Sequence, residues 1–313
     1  MKRISVKDLD GFRIGQAEDI KAGTGITVIL ARNDMAAGID IRGGGPASRE
    51  VTLLDPLMSA KRIHAVVIAG GSAFGLDAAG GVMRYLEERD IGYDVGITKV
   101  PLVCQSDIFD LTVGDHRRRP DAGMAYEACI NSETGNYEDG NHGAGTGASV
   151  GKYLGMDHAM KSGIGSCAVS IGELKIAAVA VVNALGDIYD HKTGEKIAGV
   201  TGEKCAKDIL YDNLEPKENK FVQNTTIGAI LTNADFSKAE LCKIAGMAHN
   251  GYARSIFPVH TSADGDTIYA LSNGDIKADM DIFGTLAADV MAEAVKKAVK
   301  SAESAYGFPG LAD

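Results

Sequence analysis

No apolar run in the chain reaches 18 residues, and the first twelve residues, MKRISVKDLDGF, lack the apolar core of a secretion signal. The sequence therefore offers no membrane span, and the cytoplasm is the expected location. Basic charge is also short: 32 Lys and Arg face 42 Asp and Glu, for a net charge of −10. A surface that tracks phosphates is excluded as a design feature, so nucleic acid is not an expected partner. The one basic cluster, HRRRP at 116–120, reads as a solvated loop or a subunit contact. Cysteine is sparse, with five residues and no C-x-x-C pair, which fits reduced, mostly buried thiols without chemistry. The seven histidines show neither H-E-x-x-H nor clustered His/Cys spacing, so no metal is expected.

What is present fits a globular protein with one large domain or two smaller ones, 45% hydrophobic and 24% charged. Its 39 glycines punctuate short motifs and form no linker. The apolar patterns GITVILARN and AAGIDIRGGG predict two strands, LLDPLMSAKRI a helical segment, and HAVVIAGG a strand that runs into a helix bearing Leu76, Val82, Met83 and Leu86. Two further strands, GSCAVSIGE and LKIAAVAVVN, read as parts of a buried sheet. The polar stretch from Ala184 to Gln223 reads as an exposed connection. Beyond it come a strand from Thr225 to Thr232 and a helix opened by the capping box Ser237-x-x-Glu240, with Leu241, Ile244, Ala245 and Ala248 as its apolar stripe. A strand DTIYALSN and a helix over 282–304 complete a mixed α/β pattern.

Two glycine-rich motifs imitate known sites and fail on spacing. In GAGTGASVGK, Thr146 stands where a phosphate loop needs Gly, and Tyr153 follows Lys152 where Ser or Thr should hold magnesium. G-x-G-x-x-G spacing is missing as well, so no nucleotide cofactor is implied. In AGGSAFG, a nucleophile elbow around Ser72 would need Gly at the position of Phe74. His64, before an apolar strand, reads as structural.

The stretch FVQNTTIGAILTN is different. A turn followed by a strand accounts for it, but so does a self-cleavage site. A threonine hydroxyl needs a base, and the free α-amine of an N-terminal threonine, with a reference pKa of about 7.7 to 8.0, is one known solution. Cutting between Asn224 and Thr225 would create that amine.

Taken with GTGITVILARNDMAAGIDIRGGGPASREVTLLDP, HAVVIAGGSAFGLDAAGGVMRYLEE, GAGTGASVGK, VVNALGD and NTTIGAILTNADFSKAEL, the sequence resembles the L-aminopeptidase/D-esterase family over nearly its whole length. That family includes β-peptidyl aminopeptidases, a pantetheine hydrolase and the endohydrolases of 6-aminohexanoate (nylon) oligomers. The resemblance implies a four-layer αββα sandwich of the N-terminal-nucleophile-hydrolase kind. It implies self-cleavage into a larger chain, 1–224, and a smaller one, 225–313, that stay together. It also implies a homotetramer, no cofactor, and small amide or short peptide substrates; acyl transfer through the same threonine and a non-catalytic scaffold are the competing readings.

Position by position, the resemblance makes Asn224 and Thr225 the processing site and Thr225 the nucleophile. Asp264 and Asp266 match the acidic pair, and their i, i+2 spacing would place both on one face of a strand. Asn183, at the end of KIAAVAVVN, matches the oxyanion donor, and Lys152 a lysine near the nucleophile that favours deprotonated oxygen and holds a carboxylate. Phe109 departs from the pattern, because the nylon-hydrolase-like members carry tyrosine there, and it marks a substrate-binding position without the hydroxyl.

Overall fold

The computed structural model describes residues 1–212 and 224–313. Ten strands form one sheet system: β1 (Lys2–Ile4), β2 (Phe12–Asp19), β3 (Thr24–Ile41), β4 (Ala47–Arg49), β5 (Ile63–Ala69), β6 (Val103–Asp107), β7 (Ile164–Ile171), β8 (Leu174–Asn183), β9 (Thr225–Ala234) and β10 (Thr267–Ile276). Their order is β1-β7-β8-β9-β10-β3-β5-β6-β4, with β2 paired to β3. Four helices cover them: α1 (Ala79–Glu87), α2 (Ala122–Asn131), α3 (Lys238–Ser255) and α4 (Met280–Lys300).

Strand β3 makes two layers out of this system. Its first half pairs with β2 and β5, and its second half, Ala36–Ile41, pairs with β10. The two strands expected from GITVILARN and AAGIDIRGGG are thus one. The polar residues between them, Arg32 to Asp34, mark where the chain leaves one layer and enters the other, and the register with β5 shifts at that point.

Alternation along the strands then builds three cores. Ala177, Val179 and Val181 of β8 meet Val66 and Ile68 of β5 between the sheets. Ala178, Ala180 and Val182 face α3 and α4, while Ala65, Val67 and Ala69 face α1 and α2. Helix, sheet, sheet, helix is the expected αββα arrangement. The capping box at Ser237 and Glu240 is formed, and all four residues of the expected stripe are buried.

Two other expectations need correction. LLDPLMSAKRI is not helical: a short 3-10 turn, Val51–Leu54, ends before Asp55-Pro56, and turns follow. Proline removes a donor and restricts the residue before it, which stops the helix. The connection from Ala184 is not simply exposed either. Asp187–Tyr189 and Lys196–Ala198 pair in a small sheet, and buried Asp187 accepts N–H groups from Val200 and Ala206, each at 2.7 Å. The second polar part of that segment, LEPKENK, lies outside the described residues, as do the first three residues of FVQNTTIGAILTN. Among the described residues no helix is long and apolar enough to cross a membrane, and no cluster of three or more His, Cys, Asp or Glu is placed to hold a metal ion.

Candidate active site

The site lies where β8 ends and β9 begins. Thr225, the first residue of β9, is the antiparallel register partner of Asn183, the last residue of β8. The preceding peptide is fixed from the other side. Asn224 donates its N–H to the Ala263 carbonyl at 3.0 Å, and its carbonyl accepts the Gly265 N–H at 2.8 Å. The Thr225 hydroxyl donates to that same carbonyl at 2.5 Å. Two donors therefore converge on the oxygen of the Asn224–Thr225 peptide, one of them the hydroxyl next to its carbon.

Only glycine allows this approach. A Cβ on Gly265 would lie 2.7 Å from the Thr225 Oγ. The run Gly43-Gly44-Gly45 is explained by the same crowding, since a Cβ on Gly43 would lie 2.2 Å from the Asp264 carbonyl oxygen. These glycines dock backbone against backbone, with Gly44 N–H on Thr261 O at 3.2 Å and Gly45 N–H on Asp264 O at 2.8 Å. The result is an enclosed site in which Thr225 is 4% exposed, Asp264 2%, Asp266 1% and Asn183 0%.

The acidic pair comes together, though not through strand alternation. Asp264 sits in a turn ahead of β10, bridged in parallel to Asn224, and β10 starts only at Thr267. Asp264 accepts the Thr261 N–H at 2.6 Å, whereas Asp266 accepts the Thr226 N–H at 2.8 Å and so grips the residue after Thr225. Burial, reinforced by the charge of Asp266, pushes the Asp264 carboxyl up to about 6.

Lys152 is fully enclosed and bonds to Asn183, not to a carboxylate. Its Nζ donates to Asn183 Oδ1 at 2.7 Å and to the Asn183 carbonyl at 3.3 Å, while the Ser149 N–H adds a bond to the same Oδ1 at 3.1 Å. Burial pulls the ammonium down to about 7, against the attraction of Asp264 and Asp110. The expected hold on a carboxylate is thus exerted through space. Asn183 Nδ2 donates one hydrogen to the Phe109 carbonyl at 2.9 Å, which fixes the amide and leaves its second hydrogen for another acceptor. The half-buried Phe109 thereby contributes a backbone acceptor behind the proposed oxyanion donor.

These bonds also show why the glycine motif at 143–152 is no phosphate loop: all ten residues are buried. His64 is structural, accepting the Leu102 N–H on Nδ1 at 3.0 Å. Sequence reasoning missed the Gly265 N–H and the imidazole of His260, whose Nδ1 lies 2.9 Å from Asp266. The ADGD turn carried a signal for the first; no spacing singled out the second.

The profile of peptidase family S58 matches residues 5–312. The chain belongs to peptidase family S58. An uncharacterized aminopeptidase of Mycobacterium leprae is 35% identical to this S58 chain over 97% of it and 92% of its own length. A 6-aminohexanoate-oligomer endohydrolase of Kocuria sp. is 30% identical over 94% of the chain and 85% of its own length. Among solved structures, the L-aminopeptidase D-Ala-esterase/amidase of Ochrobactrum anthropi, described as a variant of the Ntn-hydrolase fold, superposes with a TM-score of 0.72. That match runs at 18% identity over 96% of this chain and 86% of the other. Family and fold agree with the sequence resemblance: the S58 chain is an amide-bond hydrolase with the fold of the Ntn hydrolases.

Proposed function

We propose that the chain cuts itself between Asn224 and Thr225 and then works as an N-terminal-threonine amidohydrolase on small amide or short peptide substrates, 6-aminohexanoate oligomers among them. The observation that carries this reading is the Asn224 carbonyl, approached by the Thr225 hydroxyl at 2.5 Å and by the Gly265 N–H at 2.8 Å. In self-cleavage the Thr225 Oγ attacks that carbonyl carbon and gives up its proton, with Asp264 as the neighbouring acceptor. Gly265 N–H stabilises the oxyanion as charge develops. The tetrahedral state collapses with a proton delivered to the Thr225 nitrogen, and water hydrolyses the resulting ester. The products are a carboxylate on Asn224 and a free amine on Thr225.

In turnover the new amine takes the proton of the Thr225 Oγ as it attacks a substrate amide, then passes it to the leaving amine. Asn183 Nδ2 supports the oxyanion, Lys152 holds Asn183 in place and adds positive charge, and Asp264 and Asp266 orient the nucleophile. Water then frees the acyl group. The relatives named as an aminopeptidase and a 6-aminohexanoate-oligomer endohydrolase support amide substrates. A homotetramer in the cytoplasm, its halves 1–224 and 225–313 remaining together, completes the reading.

The test is product analysis on an aminoacyl amide, a β-alanyl amide and 6-aminohexanoate oligomers, with and without an added acceptor amine. Hydrolysis by the natural protein and none by Thr225→Ala is expected, with the free acid as main product in both conditions. Undiminished hydrolysis by Thr225→Ala, or transfer to the acceptor as the main outcome, would contradict it.

A further inference from the structure

Asp266 is gripped from behind by one residue. Its Oδ1 accepts the Thr226 N–H, while Oδ2 accepts both the backbone N–H of His260 at 3.0 Å and, at 2.9 Å, the His260 ring nitrogen Nδ1. His260 makes both contacts at φ +57°, in the left-handed region that is uncommon for residues other than glycine, His, Asn and Asp being the ones that enter it most. Such a conformation persists where the surroundings enforce it, and it gathers at working sites.

The ring is enclosed on its other sides. His249 of α3 packs edge-on at 4.7 Å between centroids, and Tyr252 of the same helix lies at 6.2 Å. Behind His249, its Nε2 meets the Asp40 carbonyl at 3.0 Å, and Asp40 pairs with Arg42. Burial drives the His249 ring down to about 4, so it faces His260 as a neutral ring. The His260 Nε2 has no hydrogen-bond partner among the described residues, which leaves Nδ1–H toward Asp266 as the ring's single polar tie. Asp266 thus collects three N–H groups, two of them from His260.

Resting on the threonine chemistry proposed above, we infer that His260 is a positioning residue: its Nδ1–H locks the Asp266 carboxylate onto the Thr226 N–H and thereby fixes the Thr225 backbone for self-cleavage and turnover. The division of labour follows. Asp266 is the carboxylate clamped by three N–H groups, and Asp264, held by the Thr261 N–H, is the one that exchanges a proton with the nucleophile.

The variants are chosen for the left-handed backbone. His260→Gly adopts it freely and removes only the ring, while His260→Asn also tolerates it and carries an amide N–H that reaches toward the place of Nδ1. The full chain of each is followed for the rate of self-cleavage and, once cut, for kcat and KM on an aminoacyl amide across pH, after circular dichroism confirms folding. Loss of a charge-assisted bond should lower self-cleavage and kcat by about tenfold or more in His260→Gly, with KM within about twofold. In the self-cleavage rate, where Asp264 takes the proton, the acid limb should move to higher pH, because the Asp266 carboxylate, no longer held back by the ring, bears more of its charge on Asp264. His260→Asn should recover most of both. Wild-type kcat and acid limb in His260→Gly, or an Asn variant as impaired as the Gly variant, would overturn the inference. Activity in Thr225→Ala would instead overturn the threonine reading, whatever His260 does.

Discussion

Ser72 and Thr225 make an instructive pair. Each hydroxyl sits close to the end of a strand, and each has two buried carboxylates nearby. At Ser72, which follows β5 with φ +53°, the carboxylates secure backbone. Asp110 accepts the Thr24 hydroxyl at 2.6 Å and the Gly71 N–H at 2.7 Å, and Asp107 accepts Gln105 at 2.8 Å. Burial raises Asp107 well above the usual carboxylate range and Asp110 to about 6. Among the hydrogen bonds of the described residues, none links either carboxylate to Ser72. At Thr225 the carboxylates come with an asparagine, a lysine and a peptide carbonyl already held by an N–H donor. A shifted carboxyl beside a hydroxyl is therefore not what singles out Thr225 as the proposed nucleophile; what differs is a carbonyl within reach and a donor placed for its charge.

The largest test of this contrast is a pair of alanine variants. Thr225→Ala should remain uncut and inactive, while Ser72→Ala should be cut and active at close to the natural rate, as read by denaturing gel and amide turnover. The reverse pattern would exchange the roles of the two regions. Next is Asn183→Ala, which removes the proposed donor and also the acceptor that anchors Lys152. An oxyanion donor is typically worth about 2.7 to 4 kcal/mol, so turnover on amides should fall roughly a hundred- to a thousandfold.

A third test is the pH dependence of self-cleavage in freshly refolded, uncut chain. Asp264, raised to about 6, must lose its proton to accept one, so the rate should climb through that pH. Lys152, lowered to about 7, loses its charge above that point, so the rate should then fall. A maximum between the two is expected, and in Lys152→Met the alkaline fall should vanish along with most of the rate. A profile still rising well above neutral pH would show that the Lys152 charge plays no part. The smallest expected effect belongs to Phe109→Tyr, which restores the hydroxyl of the nylon-hydrolase-like pattern. Steady-state kinetics should show a modest gain in amide turnover or a changed preference between aminoacyl amide and aminohexanoate oligomer. Unchanged kinetics would make Phe109 a backbone acceptor and packing group alone.

Much of this was legible in the sequence because strand alternation and capping are local. Ala177 to Asn183 announced a strand buried on both faces, and Ser237 with Glu240 announced a helix start. The single strand β3 was not legible as one, because the polar residues at its crossing point look like a turn when no second sheet is in view. Asp264 and Asp266 do come together beside Asn224 and Thr226, but not through the strand alternation that their spacing suggested. Their convergence depends on a turn clamped by Gly43 to Gly45, some 220 residues away in sequence, and no local spacing encodes such a contact. Lys152 reads as a surface lysine until the loop that buries it is folded. His260 escaped notice because its role rests on a left-handed backbone and a contact across the turn.

The central claim is that the Asn224–Thr225 peptide is a bond the protein breaks. Intact mass and N-terminal sequencing of the purified protein test it most directly. Two fragments are predicted, corresponding to residues 1–224 and 225–313, the second beginning TTIGAIL. A single uncut chain that is fully active on amides, or a break at any other bond, would contradict it.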